Sequence, residues 1–237
     1  MWGKLGGTGL GLAIGGPLGA LLGALAGHFL VDREGAPFRR PPREVIFTTG
    51  LVALSAKMAR ADGVVTRDEV AAFRRIVEVP EDGLADIIRL FDLAKATTAG
   101  YEAYARQLSE LLADEPQLLE DVLDGLFLIA TADGAVHDGE IAYLKSVAEI
   151  FGLTGSDYSR IEARHLHRDD DPYAILGATR DMDGDELKHR YRQLAREFHP
   201  DREIARGLPP EAIKIATARL AAINAAWDMI ARERGLA

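Results

Sequence analysis

The chain has 237 residues, 48% of them hydrophobic, and a formal charge of -9 from 28 Lys and Arg against 37 Asp and Glu. That balance offers no basic face of the kind nucleic-acid binding needs, so no nucleic-acid partner is expected. With no cysteine present, disulfides, zinc ribbons and thiol catalysis are excluded, and nothing in the composition calls for a cofactor.

The chain opens on a glycine ladder. Gly3, Gly7, Gly11, Gly15, Gly19, Gly23 and Gly27 fall at every fourth position, and no Asp, Glu, Lys or Arg occurs from Leu5 to Val31. Glycine is a poor helix former in water. In lipid the backbone must bond to itself, and about 20 residues of helix cross the hydrocarbon core. Residues 1–31 are therefore read as a glycine-zipper transmembrane anchor. This reading is preferred over a cleavable leader ending at Ala24-Leu25-Ala26 and over a soluble tail. Small residues four apart let a second helix approach closely, so Gly11, Gly15, Gly19 and Gly23 are the expected contact in a homodimer through the span. Lys4 stands alone before the span, whereas Arg33, Arg39, Arg40 and Arg43 come after it. The positive-inside rule then predicts a single-pass protein with everything after residue 31 in the cytoplasm. Residues 32–43, rich in Pro, Gly and Arg, read as a juxtamembrane linker.

From residue 44 the periodicity is helical, and the expected fold class is all-α. Phe47, Leu51, Leu54 and Met58 step by four, three and four; Ile87, Leu90, Phe91 and Ala94 repeat the pattern, as do Leu119, Val122, Leu126 and Ile129. The segment also repeats itself. AKMARADGVVTRDEVAAFRRIV (56–77) aligns with LFLIATADGAVHDGEIAYLKSV (126–147), matching Asp62 to Asp133 and Glu69 to Glu140. Each copy reads as helix, Asp-Gly turn, helix. The acids have two readings. They cap helices around the turn, or Asp62, Glu69, Asp133 and Glu140 converge as oxygen ligands for a hard cation. The spacing lacks the alternating acids of an EF-hand loop, and the capping reading is preferred. These duplicated helix pairs resemble the tellurite-resistance TerB-like fold over residues 44–165. The resemblance implies a possible divalent-metal site at the same acids.

HLHRDDD (165–171) reads as a short polar connection in which His165 and His167 are solvated. Beyond it, Leu187, Tyr191, Leu194 and Phe198 form an apolar stripe, with Lys188, Arg192 and Arg196 as a basic ridge beside it. Pro200 disfavours a helical His199, so the helix is expected to finish there and open into a loop of about ten residues. A further helix comes next, with Leu220, Ile223, Trp227 and Ile230 as its core face. Two helices with facing stripes make an antiparallel hairpin with His199-Pro200-Asp201 at its tip.

Residues 166–237 resemble the J domain, the DnaJ-type module that engages DnaK-type heat-shock ATPases. Pro172-Tyr173 with Leu176-Gly177, then Tyr191-Arg192, Leu194-Ala195 and His199-Pro200-Asp201, then Ile223-Asn224, Ala226 and Trp227 carry the likeness. It implies that Lys188, Arg190, Arg192 and Arg196 meet an acidic surface on the ATPase and that His199, Pro200 and Asp201 favour its hydrolysis-competent state. The chain itself is then no enzyme. Anchor, TerB-like middle and carboxy-terminal J domain together resemble the DjlA family of membrane-anchored co-chaperones of bacterial inner membranes. The rival expectation is a membrane scaffold or stress sensor whose middle domain binds divalent metal or a protein partner.

Overall fold

The computed structural model describes residues 16–22, 41–59, 67–77, 84–96, 100–132, 134, 136–166 and 171–236, and all regular structure among them is helical. In chain order the helices are α1 (16–22), α2 (Arg43–Met58), α3 (Arg67–Ile76), α4 (Leu84–Ala96), α5 (Tyr101–Leu111), α6 (Pro116–Ala130), α7 (Asp138–Ile150), α8 (Ser156–Leu166), α9 (Pro172–Leu176), α10 (Gly184–Glu197), α11 (Pro200–Ala205) and α12 (Pro210–Arg234).

The expected stripe on α2 turns out to be a whole helix surface. Ile46, Phe47 and every residue from Thr49 to Met58 are buried. The run GLVALSA has small or apolar side chains on all sides, and a helix of that kind belongs at the centre of a bundle. Helices α4, α5 and α6 pack around it. Gly50 makes the α5 contact close: a Cβ there would lie 2.6 Å from the Leu108 side chain. The repeat is visible as two helix pairs, α2 with α3 and α6 with α7. Tyr143 of the second pair donates its hydroxyl to the Leu54 carbonyl of the first at 2.8 Å.

The carboxy-terminal hairpin has its own core of Tyr173, Ile175, Leu176, Leu187, Leu194, Phe198, Ile223, Ala226 and Ile230. Tyr191 of α10 stacks on Trp227 of α12, with ring centroids 5.0 Å apart and planes 8° apart. The Tyr191 hydroxyl reaches Asn224 Oδ1 at 3.2 Å. The loop expected after His199 is largely a helix. Proline lacks an amide hydrogen that the first helical turn does not need, and its fixed φ suits that position. Pro200 thus ends α10 and begins α11, with His199 between them as the amino-terminal cap.

Helix α12 is the strut of the molecule. Its 25 residues span about 38 Å. Ala212 and Ile215 near its start, with Leu208 before it, belong to the apolar core of the middle segment. Ile223, Ala226 and Ile230 further along belong to the hairpin core. Gly125 of α6 admits this crossing: a Cβ there would meet Ile215 Cδ1 at 2.8 Å.

At the amino end, Leu18, Leu21 and Leu22 of α1 are buried in the same cluster as the middle helices, and the Leu18 amide donates to Gln107 Oε1 at 2.7 Å. Helix α1 covers about 10 Å, a third of a hydrocarbon core. Among the described residues no helix is long and apolar enough to cross a membrane. Most of the expected span, with Gly11, Gly15 and Gly23, lies outside the described residues; Gly19 is half-buried within α1.

Candidate functional site

Helix α10 is started by a reciprocal cap. The Glu186 amide donates to Asp183 Oδ1 at 2.8 Å, and the Asp183 amide donates to Glu186 Oε2 at 2.9 Å. From that fixed start, Arg192 and Arg196 emerge exposed and Lys188 half-buried. One turn apart, they share a face. Arg190 is turned elsewhere: its Nε donates to the Leu176 carbonyl at 3.0 Å, closing α10 onto the end of α9. The expected basic set therefore divides into three ridge positions and one internal strap.

His199 and Asp201 sit at the tip, their side chains 49% and 81% exposed. The Asp201 amide donates to His199 Nδ1 at 3.3 Å, so the imidazole caps α11 from outside. One residue earlier the chain is buried. Phe198 is 3% exposed, and its ring lies 4.5 Å from the Arg219 guanidinium and 5.5 Å from that of Arg160. The tripeptide is presented on an apolar, cation-backed seat.

Those two arginines lead into a buried ionic seam that sequence reasoning missed. Glu120, Asp121 and Asp124 occupy one face of α6 and are all buried. Arg219 of α12 donates from Nε to Asp124 at 2.6 Å and from Nη2 to Asp121 at 2.5 Å. Arg164 of α8 reaches Asp124 at 3.0 Å and Glu120 at 2.9 Å, and Arg160 reaches Glu120 at 3.3 Å. His165, expected in a solvated connection, is instead the penultimate residue of α8. Its side chain is 6% exposed, its Nε2 is 2.7 Å from Asp124 Oδ1, and its ring stacks on Phe127 with centroids 5.0 Å apart. Helix α8 continues to Leu166 and carries it into the seam; His167 lies outside the described residues.

The two aspartates respond oppositely to the same burial. Burial pushes Asp124 up, but the Arg164 and Arg219 guanidiniums and His165 outweigh it and hold the carboxyl well below the usual carboxylate range. Among the described residues Asp121 bonds to Arg219 alone; it faces Glu203 from α11 and Asp124 and Glu120 on its own helix, and is pushed up to about 7 by burial. Its Oδ2 is buried and has no hydrogen-bond partner among the described residues. The folded state therefore holds a proton on Asp121 that the unfolded chain releases above the ordinary 3.8. By linkage, this group's contribution to stability falls as pH rises from its ordinary value through about 7. Asp121→Asn, which keeps the neutral form at all pH, is expected to flatten that decline. Melting curves of both proteins from about pH 5 to about pH 8 check it, and parallel slopes would count against a protonated Asp121.

Of the four acids in the cation reading, Asp62 and Asp133 lie outside the described residues, and Glu69 falls on α3 with no described side chain. Glu140 is buried at the start of α7, where its Oε2 accepts from the His137 amide at 3.0 Å. That is the capping half of the two readings. Among the described residues no three or more His, Asp or Glu side chains gather in a set that could hold a metal ion.

Comparison with known proteins gives three matches along the chain. Family models for the co-chaperone DjlA transmembrane domain, tellurite resistance protein TerB and the DnaJ domain match residues 1–53, 48–163 and 171–234. The co-chaperone protein DjlA of Coxiella burnetii is 28% identical, covering 99% of this chain and 98% of its own length. That of Photobacterium profundum is 26% identical over 99% of each, and that of Salmonella typhimurium 24% identical over 99% of this chain and 98% of its own. No solved structure matches the chain. Three domain matches in this order, with relatives aligned over nearly the whole length, make this chain a DjlA-like J-domain protein.

Proposed function

We propose that the chain is a membrane-anchored co-chaperone that recruits a DnaK-type heat-shock ATPase and stimulates its ATP hydrolysis. The observation that carries this reading is the tip of the hairpin. His199 and Asp201 are exposed on a buried Phe198 seat, one turn beyond the exposed Arg196. An exposed, capped helix start beside a basic ridge is suited to meeting an acidic partner surface in one orientation. Lys188, Arg192 and Arg196 steer the encounter; His199, Pro200 and Asp201 act once contact is made. The chemistry is the partner's, and this chain contributes binding and position. The DjlA transmembrane match and the arginine-rich flank after residue 31 support an anchor in the bacterial inner membrane with the helical domains in the cytoplasm.

The test is ATP hydrolysis by a DnaK-type ATPase with and without the full chain in detergent micelles. Stimulation that saturates with added chain is expected. Arg192→Gln with Arg196→Gln is expected to raise the half-saturating concentration about tenfold at low salt and to make it less sensitive to added salt. A basal rate in the presence of correctly folded wild-type chain overturns the proposal.

A further inference from the structure

The hairpin is not a free appendage. Its longest helix begins inside the core of the middle segment, and at the crossing Arg219 is gripped by two acids of α6. Around it the charges nearly cancel. Glu120, Asp121 and Asp124 face Arg160, Arg164 and Arg219 with His165 at the edge, and Glu203, which also lies near Asp121, is itself paired with Arg206. The Gly125–Ile215 approach supplies the apolar half of the same seam. Apolar contact is tolerant of sliding and rotation. A guanidinium whose Nε and Nη2 bond to two different carboxylates is not, because its donors lie in a fixed plane.

The seam also reaches the tip. Arg219 lies against Phe198, Arg160 lies against the same ring, and both arginines bond to acids of the one helix. Phe198 is the residue before His199. A displacement of α12 relative to α6 must therefore move the seat of the His-Pro-Asp tripeptide.

We infer that Arg219 is a positioning residue: through Asp121 and Asp124 it locks the J-domain hairpin in one orientation on the TerB-like domain, and through Phe198 it sets the position of His199-Pro200-Asp201. The functional half of this inference rests on the co-chaperone reading; the structural half does not. Residues that meet the partner directly, Arg192 and Arg196, lie on another helix and are exposed. Loss of Arg219 should thus spare the encounter and weaken the activation of the ATPase after contact.

The chain has no cysteine, so Glu149→Cys on α7 and Asp228→Cys on α12 give two unique, exposed spin-label sites in the full-length protein. With Arg219 present, the distance distribution between them is expected to be single and narrow. Arg219→Gln is expected to broaden it. Arg219→Lys keeps the charge balance but not the two-armed grip, and is expected to fall between the two. A distribution that stays equally narrow in the glutamine variant overturns the lock, whether or not the chain stimulates any ATPase. For the functional half, maximal stimulation of a DnaK-type ATPase is expected to drop about fivefold or more in Arg219→Gln, with partial recovery in Arg219→Lys. The half-saturating concentration should stay near the wild-type value. Unchanged or increased maximal stimulation in the glutamine variant overturns the positioning role. Absence of stimulation by the wild-type chain itself overturns the co-chaperone reading and leaves the distance result to decide the lock.

Discussion

His199→Gln is expected to bring ATPase stimulation down to the basal rate while leaving the melting temperature nearly unchanged. The separation comes from where the side chain stands. It is half exposed and belongs to neither apolar core. Its described structural contacts are local and go to Asp201: it accepts the Asp201 amide at the start of α11, and the Asp201 carboxylate lies 3.5 Å from the same nitrogen. A glutamine oxygen can take that hydrogen bond, and even complete loss of a cap costs about 1 kcal/mol. Pro200 still supplies the right φ at the first helical position. The fold therefore has little to lose, whereas the proposed partner loses an imidazole aimed at it from a rigid tip. Stimulation assays beside thermal melts read the two effects independently. Full stimulation by the variant would remove His199 from the mechanism, and a large drop in melting temperature would show that the imidazole serves the hairpin rather than the partner.

The parts of this molecule that are legible in the sequence are those whose physics is local. The α10 stripe of Leu187, Leu194 and Phe198 is buried as its spacing requires, and Ile223 and Ile230 of α12 meet it. Such periodicity needs no knowledge of distant residues. The order of anchor, middle and hairpin segments is likewise readable from composition and motif, and the family matches fall in that order. Two local inferences need correction for equally local reasons. Pro200 reads as a helix breaker, which it is for α10, but the same lack of an amide hydrogen makes it a helix starter for α11. The α2 stripe understates a helix that is buried on every side.

What escapes the sequence is the seam, because it is held together by pairs far apart in the chain. Arg219 and Asp124 are separated by 95 positions, and Arg164 and Asp124 by 40. Acids at 120, 121 and 124 on an amphipathic helix read as its solvated face, and nothing in the spacing says that α8 and α12 will cover them. One signal is present. The core face expected on the last helix begins at Leu220, yet the helix carries Ala212, Ile215 and Ala216 a turn or two earlier, on a face the hairpin alone cannot bury. A second apolar face on a hairpin helix announces a second partner, and the charged residue between the two faces, Arg219, then becomes a candidate for a buried one.

Asp124→Ala is expected to destabilise the folded chain by about 3–5 kcal/mol, the largest effect of any single substitution proposed for the seam. The magnitude comes from what is left behind rather than from what is removed. Asp124 is 1% exposed and accepts from Arg164 and Arg219 with His165 alongside. Delete it, and each of the two buried guanidiniums loses the carboxylate it shares with the other, leaving Glu120 bonded to Arg164 and Asp121 to Arg219. Asp121, pushed up to about 7, is at best partly ionised near neutral pH. An unpaired cation in a low-dielectric interior costs far more than the net worth of the pair it came from. The exposed pair of Arg180 and Glu233, 2.9 Å apart with side chains 61% and 47% exposed, supplies the contrast. Glu233→Ala should cost less than about 1 kcal/mol because water solvates whatever it leaves. Urea denaturation of both variants, with Asp124→Ala combined with Arg219→Ala to close the cycle, measures the difference. Because Asp124 and Arg219 are in direct contact, the double variant should be less damaged than the sum of the singles. A loss under about 1 kcal/mol for Asp124→Ala would mean that water reaches the seam, and with it that the J-domain hairpin spends much of its time undocked.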